Sequence, residues 1–434
     1  MGLFLIAILG LSFISIGIIK QQNTAIAQQS TSTSVTSNAS KVYNTTLANK
    51  DLSPVLLNQI KPMILKNMGN KSKGGVSVVV GVVTPNGTSV SGYGNISKAN
   101  TTKVNGNTIF DIGSITKTFT TTLLADMVKR GLVKLDDPVQ KYLPPNVKVP
   151  TYHNDGHNIT LEDLATHTSG LPDLPQKLID NHTYPTQQIY NYISHSSLVS
   201  EPGVRYSYNN LGMGLLGYVL SLKAGVPYIE LVKDRILNVL GMNSTGIAMN
   251  STHIISPLPD ILKSRLAKGH VGGREVSIAF LPEVIQPSGG LYSSANDLLK
   301  YLSTNMGLIH TKINDILQDA HLIRHEELAI PNSSTNKSLQ AVYVGLGWHI
   351  VTNFGSEAIY HTGAIGGYTS LLGFNPTKQI GLVILCSCDE KDALSPVKWV
   401  NVVILSLLDP SGIFAPAKTA PITNTKTSVV VSVE

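Results

Sequence analysis

The strand-forming stretches of this chain stand at its opposite ends, and that separation limits the folds open to it. Near the start, "GVSVVVGVVTPNGTSVSGYG" (from Gly75) joins a β-branched run to a second strand through an Asn86-Gly87 turn. Near the end, "AVYVGLGWHIV", "EAIYHTG", "YTSLLGFNP" and "QIGLVILCSC" are short strands with turns between them. From Asp136 to about Asn336 the spacing of apolar residues is mainly helical, as in "LGMGLLGYVLSLKAG" and "SANDLLKYLSTNMG". One helix precedes the hairpin in "SPVLLNQIKPMILKNMG" and another follows the last strand in "PVKWVNVVILSLL". This order predicts an α+β fold: an antiparallel sheet assembled from both ends of the chain, flanked by helices, with a mainly helical subdomain inserted. The predicted folded domain is 51–408, its sheet drawn from about 51–113 and 340–408 and its insertion from about 114–339. Ligand sites favour such seams.

The bulk numbers narrow the function classes. With 434 residues the chain can bury a large core, and 42% apolar against 14% charged residues is a globular composition with a low charge content. The net charge of +6 is spread without a basic run, which argues against nucleic acid as a partner. The apolar stretch Gly2 to Ile19, followed by Ala25-Ile26-Ala27, makes 1–27 a signal peptide or a membrane anchor. Residues 28–50 are a polar linker and 409–434 a polar tail. Asn-x-Ser/Thr triplets recur from Asn38 to Asn336 at roughly twice the chance frequency, which fits a glycosylated, extracytoplasmic, secreted or cell-surface body. Cys386 and Cys388 are the only cysteines; two apart on one apolar run, they are expected to be buried thiols rather than a bridge.

Three short elements could carry chemistry. In "FDIGSITKTFTTTLLADMV" Ser114 opens a predicted helix and Lys117 lies one turn later on the same face. A lysine whose pKa is lowered by burial can take the proton of a serine nucleophile, and the unpaired N–H at a helix start can face an oxyanion. In "EPGVRYSYNNLGMGLLG" Tyr208 and Asn210 project from one loop; a tyrosine near cations ionises more easily and relays a proton, while the amide orients a lysine and a carbonyl. In "YHTGAIGG" His361, Thr362, Gly363 and Ala364 follow a strand, and the glycines would let a substrate lie along the sheet edge with the Ala364 N–H as second oxyanion donor. Each element alone is ordinary, and His167 in "THTSGLP" reads as a turn residue. His153 and His157 sit in a loop without the glutamate of a zinc-protease helix. No cofactor or metal is implied.

In this order, Ser-x-x-Lys, Tyr-x-Asn and His-Thr-Gly resemble the serine β-lactamase and penicillin-binding-protein superfamily, and more closely its class C-like, CubicO-type hydrolases. Supporting matches are "LEDLATHTSGLPD", "PSGGLYSSANDLLKYL" and "VGLGWHI". The resemblance implies the β-lactamase/DD-peptidase fold and an acyl-enzyme mechanism. Ser114 would be the nucleophile, Lys117 and Tyr208 the proton-transfer pair, Asn210 a positioning residue, and His361 to Ala364 the substrate-side strand. The expected partner is a small-molecule or short-peptide substrate; a peptide- or penicillin-binding sensor without turnover is the alternative. Many members carry lysine where this chain has His361, which argues against an obligate carboxylate reader and toward aminopeptidase, amidase or esterase activity.

Overall fold

The computed structural model describes residues 53–153, 156–175, 186–247, 259–278, 280–329, 341–353 and 355–408. The expected signal peptide or anchor, linker and tail lie outside them. β1 (Ser77–Thr84) and β2 (Gly87–Gly94) form the expected hairpin, with Thr84 opposite Gly87. β1 then pairs antiparallel with the last strand among the described residues, β13 (Ile380–Cys386), from Val78 opposite Cys386 to Val83 opposite Gly381. With β8 (His325–Ala329), β9 (Ala341–Val344), β10 (His349–Asn353), β11 (Ser356–Ile365) and β12 (Tyr368–Asn375), they make an eight-stranded sheet in the order β2-β1-β13-β12-β11-β10-β9-β8. The two ends of the chain therefore meet in the sheet, as the strand pattern predicts.

The pleat explains the composition of β1. Val78, Val80 and Val82 face one way and pack with Leu56, Ile60 and Ile64 of helix α1 (Ser53–Met68). Val79 and Val83 face the other way into the larger core, which includes Leu298 and Leu299. A strand covered on both faces needs no polar alternation, and burying each such side chain stabilises the fold by about 1.5–3 kcal/mol.

The inserted block supplies α2 (Thr116–Lys129), α3 (Asn210–Ala224) and α4 (Ala295–Asn305), and α5 (Val400–Leu408) returns to the α1 side of the sheet. α2 is buried all round from Thr116 to Met127, so its threonine hydroxyls need partners inside the protein. Thr120 donates to the Pro287 carbonyl at 2.6 Å and Thr121 to the Leu346 carbonyl at 2.7 Å, which ties two distant loops to one helix. On α3 the glycines admit the neighbouring segment: a Cβ at Gly214 would stand 2.5 Å from the Val284 backbone oxygen, and one at Gly217 2.3 Å from Cβ of the Pro287 ring.

The mainly helical insertion also carries short strands: β4 (Gly246–Ile247) and β7 (Leu291–Ser294) form a second sheet with β3 (Ile109–Asp111), which precedes it, and β5 (Gly269–Val271) pairs with β6 (Arg274–Val276). Two expectations are corrected. The large sheet begins before residue 340, at β8, whose "HEELA" lacks apolar alternation because it is an edge strand. Cys386 and Cys388 form a disulfide with their Cα atoms 5.2 Å apart. β13 ends at Cys386, so Cys388 is not held in the pleat that the sequence reading assumed.

Gly217→Ala is expected to lower the denaturant midpoint of unfolding, by about 1–3 kcal/mol in stability, although alanine is the better helix former. An unchanged midpoint would mean that the Pro287 ring moves aside freely.

Candidate active site

The Ser-x-x-Lys element begins in a single 3₁₀ turn, Gly113–Ile115, with α2 following from Thr116, two residues later than the pattern suggests. Gly113 has φ +49°, in the left-handed region, and lies against the backbone of Ala364: a Cβ there would be 2.8 Å from the Ala364 nitrogen. Thr116 closes the turn by donating to the Gly113 carbonyl at 2.7 Å and accepting from the Leu291 N–H at 3.1 Å. Ser114 stays half-buried at the surface of this turn.

Lys117 is fully buried, at 0% exposure. Its Nζ lies 2.9 Å from Ser114 Oγ, 2.8 Å from Asn210 Oδ1 and 2.7 Å from the Ser288 carbonyl oxygen. Burial lowers its pKa to about 7, opposed in part by the Asp173 carboxylate. Near neutrality the amine is thus available with two N–H groups for Asn210 and Ser288 and one lone pair for the serine proton.

Asn210 is aimed by Asp173, which sequence reasoning passed over. The Asp173 carboxylate accepts from the Asn210 amide Nδ2 at 3.1 Å and from the backbone N–H groups of Asn210 and Leu211 at 3.1 and 3.0 Å. This leaves Oδ1 of Asn210 for Lys117, and it also serves orphan donors at the start of α3, where Asn209 is the N-cap. Ser288 was missed as well, since its contribution is a carbonyl and no side-chain pattern encodes one. Both residues fall within stretches that support the family resemblance, "LEDLATHTSGLPD" and "PSGGLYSSANDLLKYL".

Tyr208 is hydrogen-bonded to Ser114, and Lys117 Nζ lies 4.7 Å from its ring centre. The expectation that cations ease its ionisation is overturned: burial pushes the phenol well above its usual range, with the Ser114 hydrogen bond opposing only in part. Tyr208 remains a neutral O–H.

His361 to Ala364 lie inside β11 rather than after it. β10 starts at His349, opposite Tyr360, so His361–Ile365 has a named strand neighbour only on the β12 side. Gly363 does not make room for a ligand. A Cβ there would stand 2.1 Å from the Ile112 oxygen and 2.4 Å from Ser370 Oγ, so the glycine lets the Ser114 turn rest on the sheet. Ser370 completes that contact by donating to the Ile112 carbonyl at 2.8 Å.

His361 is buried, with Nδ1 on the Thr362 carbonyl and Nε2 without a protein partner. A carbonyl only accepts, so Nδ1 carries the proton and Nε2 is a bare acceptor. Burial first, then His349 and Lys117, hold its pKa well below the ordinary histidine value. His349, 5.1 Å from it ring to ring, is itself bonded through Nδ1 to Glu327 at 2.7 Å. Among the described residues no cluster of three or more His, Cys, Asp and Glu side chains could hold a metal ion.

The structure thus brings Ser114, Lys117, Tyr208 and Asn210 together, with Ala364 beside the serine turn. Residues 66–405 match the family model described as Beta-lactamase. The chain belongs to the Beta-lactamase family. Among curated relatives, the D-alanyl-D-alanine-carboxypeptidase/endopeptidase AmpH of Escherichia coli is 30% identical over 68% of this chain and 74% of its own length. A beta-lactamase of Pseudomonas fluorescens is 27% identical over 73% of this chain and 89% of its own. Among solved structures, the octameric penicillin-binding protein homologue from Pyrococcus abyssi aligns with a TM-score of 0.65 at 26% identity, over 81% of this chain and 77% of that one. The family membership makes this chain a serine hydrolase.

Gly363→Ala is expected to displace the Ser114 turn and lower the rate of serine labelling at least tenfold, about 1.4 kcal/mol in barrier. Fluorophosphonate labelling kinetics check this, and a wild-type rate in the variant would refute the packing role of Gly363.

Proposed function

We propose that this chain is an exported serine hydrolase that opens an amide or ester through an acyl-enzyme on Ser114. The observation that carries the reading is the 2.9 Å contact of Ser114 Oγ with a buried lysine of lowered pKa. Neutral Lys117, held by Asn210 and Ser288, takes the Ser114 proton as Oγ attacks the substrate carbonyl carbon. The N–H groups of Ser114 and Ala364 receive the developing oxyanion. The proton passes from Lys117 through the neutral Tyr208 hydroxyl to the leaving nitrogen or oxygen, which departs as the carbonyl re-forms. Water then attacks the acyl carbon by the reverse route and frees Ser114 and the acid.

His361 argues for the substrate class. A buried, neutral imidazole supplies no positive charge for a substrate carboxylate, so esters and amino-terminal D-amino amides fit better than substrates with a terminal carboxylate. Export is supported by the apolar start of the chain and agrees with the Cys386–Cys388 disulfide, a bond of oxidising compartments. Whether residues 1–27 are removed or anchor the protein at a membrane is decided by the N-terminal sequence of the purified protein.

Purified protein incubated with a fluorophosphonate should gain one adduct, lost in Ser114→Ala, and should turn over p-nitrophenyl esters. Lys117→Ala should lower that turnover by about 10²–10⁴-fold. An adduct without any ester or D-amino amide turnover would instead indicate a sensor, and no adduct at all would sink the nucleophile assignment. Since the deprotonated amine is the active form, kcat/KM should rise with pH and level off above an apparent pKa of about 7. A flat profile from pH 5 to 9 would exclude Lys117 as the base.

A further inference from the structure

Tyr208 is held from both sides by a single residue that the sequence offers only as part of a turn. The N–H of Ser207 donates to the His167 carbonyl at 2.8 Å. The N–H of Asn209 donates to the His167 ring at Nδ1, at 3.2 Å. Between these two bonds the imidazole lies against the Tyr208 ring, centre to centre 4.6 Å at a tilt of 35°. Three contacts from one residue thus fix the backbone before Tyr208, the backbone after it and the ring itself. The same loop adds a fourth tie one residue on, where Asn209 Nδ2 donates to the Leu171 carbonyl at 2.6 Å.

The backbone of His167 shows that this is more than turn formation. Its φ is +59°, a left-handed conformation that glycine or asparagine adopts at least cost. A turn alone would be better made by either. The ring is also buried, at 3% exposure, and an imidazole ring brings polar atoms into the interior that a turn does not need. Neutrality is required, because Nδ1 accepts from Asn209 only while it carries no proton. Burial, with Lys117 and His349 adding to it, keeps the pKa well below the ordinary histidine range. With Nδ1 an acceptor, the proton sits on Nε2, which has no protein partner.

We propose that His167 is a positioning residue for Tyr208, clamping the tyrosine hydroxyl in line with Ser114 for proton transfer. The role rests on the reading of Tyr208 as the proton carrier, and acts only through it.

Acylation rates with a D-amino amide or an alkyl ester, whose leaving group must take a proton, and thermal melts of wild type, Tyr208→Phe, His167→Gly, His167→Asn and the double variant Tyr208→Phe/His167→Gly test it. His167→Gly keeps the left-handed backbone without strain and removes only the ring. It should melt lower than wild type, because the lost ring leaves a cavity and an unpaired Asn209 N–H, and well below that melting point it should acylate about 10- to 100-fold more slowly, since small misplacements of a reacting group cost that much. His167→Asn, whose amide oxygen can accept from Asn209, should recover part of the loss. With Tyr208 already replaced, removing His167 should cost nothing further. A wild-type rate in His167→Gly, or a double variant showing the product of both losses, would overturn the positioning role alone. Acylation by that substrate as fast in Tyr208→Phe as in wild type would remove the proton-carrier reading, and the positioning role with it.

Discussion

A lysine with no exposure to water is the constraint around which this molecule is arranged. An ammonium buried that deeply is costly, and the protein answers with three oxygen atoms within 2.9 Å of Nζ, from Ser114, Asn210 and Ser288. Each oxygen comes from a different part of the chain: the 3₁₀ turn before α2, the first residue of α3, and the turn before β7. Holding those parts at hydrogen-bond distance accounts for much of the surrounding packing. The glycines of α3 that admit the Val284 backbone and the Pro287 ring, and Thr120 on the Pro287 carbonyl, bring Ser288 to the lysine.

The sheet fixes the other wall. Gly113 and Gly363 lack side chains for complementary reasons, one to reach a left-handed turn beside Ala364 and the other to receive the Ile112 carbonyl. The serine turn therefore rests on β11 through backbone contact, which leaves little freedom in the distance between the nucleophile and the Ala364 N–H. Rigid elements set that distance, and the loop carrying Tyr208 is brought to it by its own hydrogen bonds.

Much of this was legible in the sequence because it is periodic or local. The Ser114–Lys117 spacing, the hairpin at Asn86 and the pairing of the chain's two ends follow from helix faces, turn chemistry and strand runs. Contributions made by backbone atoms were not legible, and neither was any effect of depth. The Ser288 carbonyl has no side-chain signature, and Asp173 looks like any loop aspartate until α3 is seen to start beside it. The acidity of Tyr208 was misread because its cationic neighbour was counted and its burial could not be. Cys388 was misread because the end of β13 could not be placed to the residue, and β8 was overlooked because charged edge strands lack alternation.

The junction of β1 with β13 governs how the protein can come to be folded. β1 is made early and is apolar on both faces, yet its central partner is β13, the last strand among the described residues, with Val78 awaiting Cys386. Until that strand arrives, one edge of an aggregation-prone valine run stays unpaired. Folding is therefore governed by contacts of very long sequence separation and is expected to be slow. A chain cut short before Ile380 lacks the strand that closes the sheet, however complete its serine, lysine and tyrosine are.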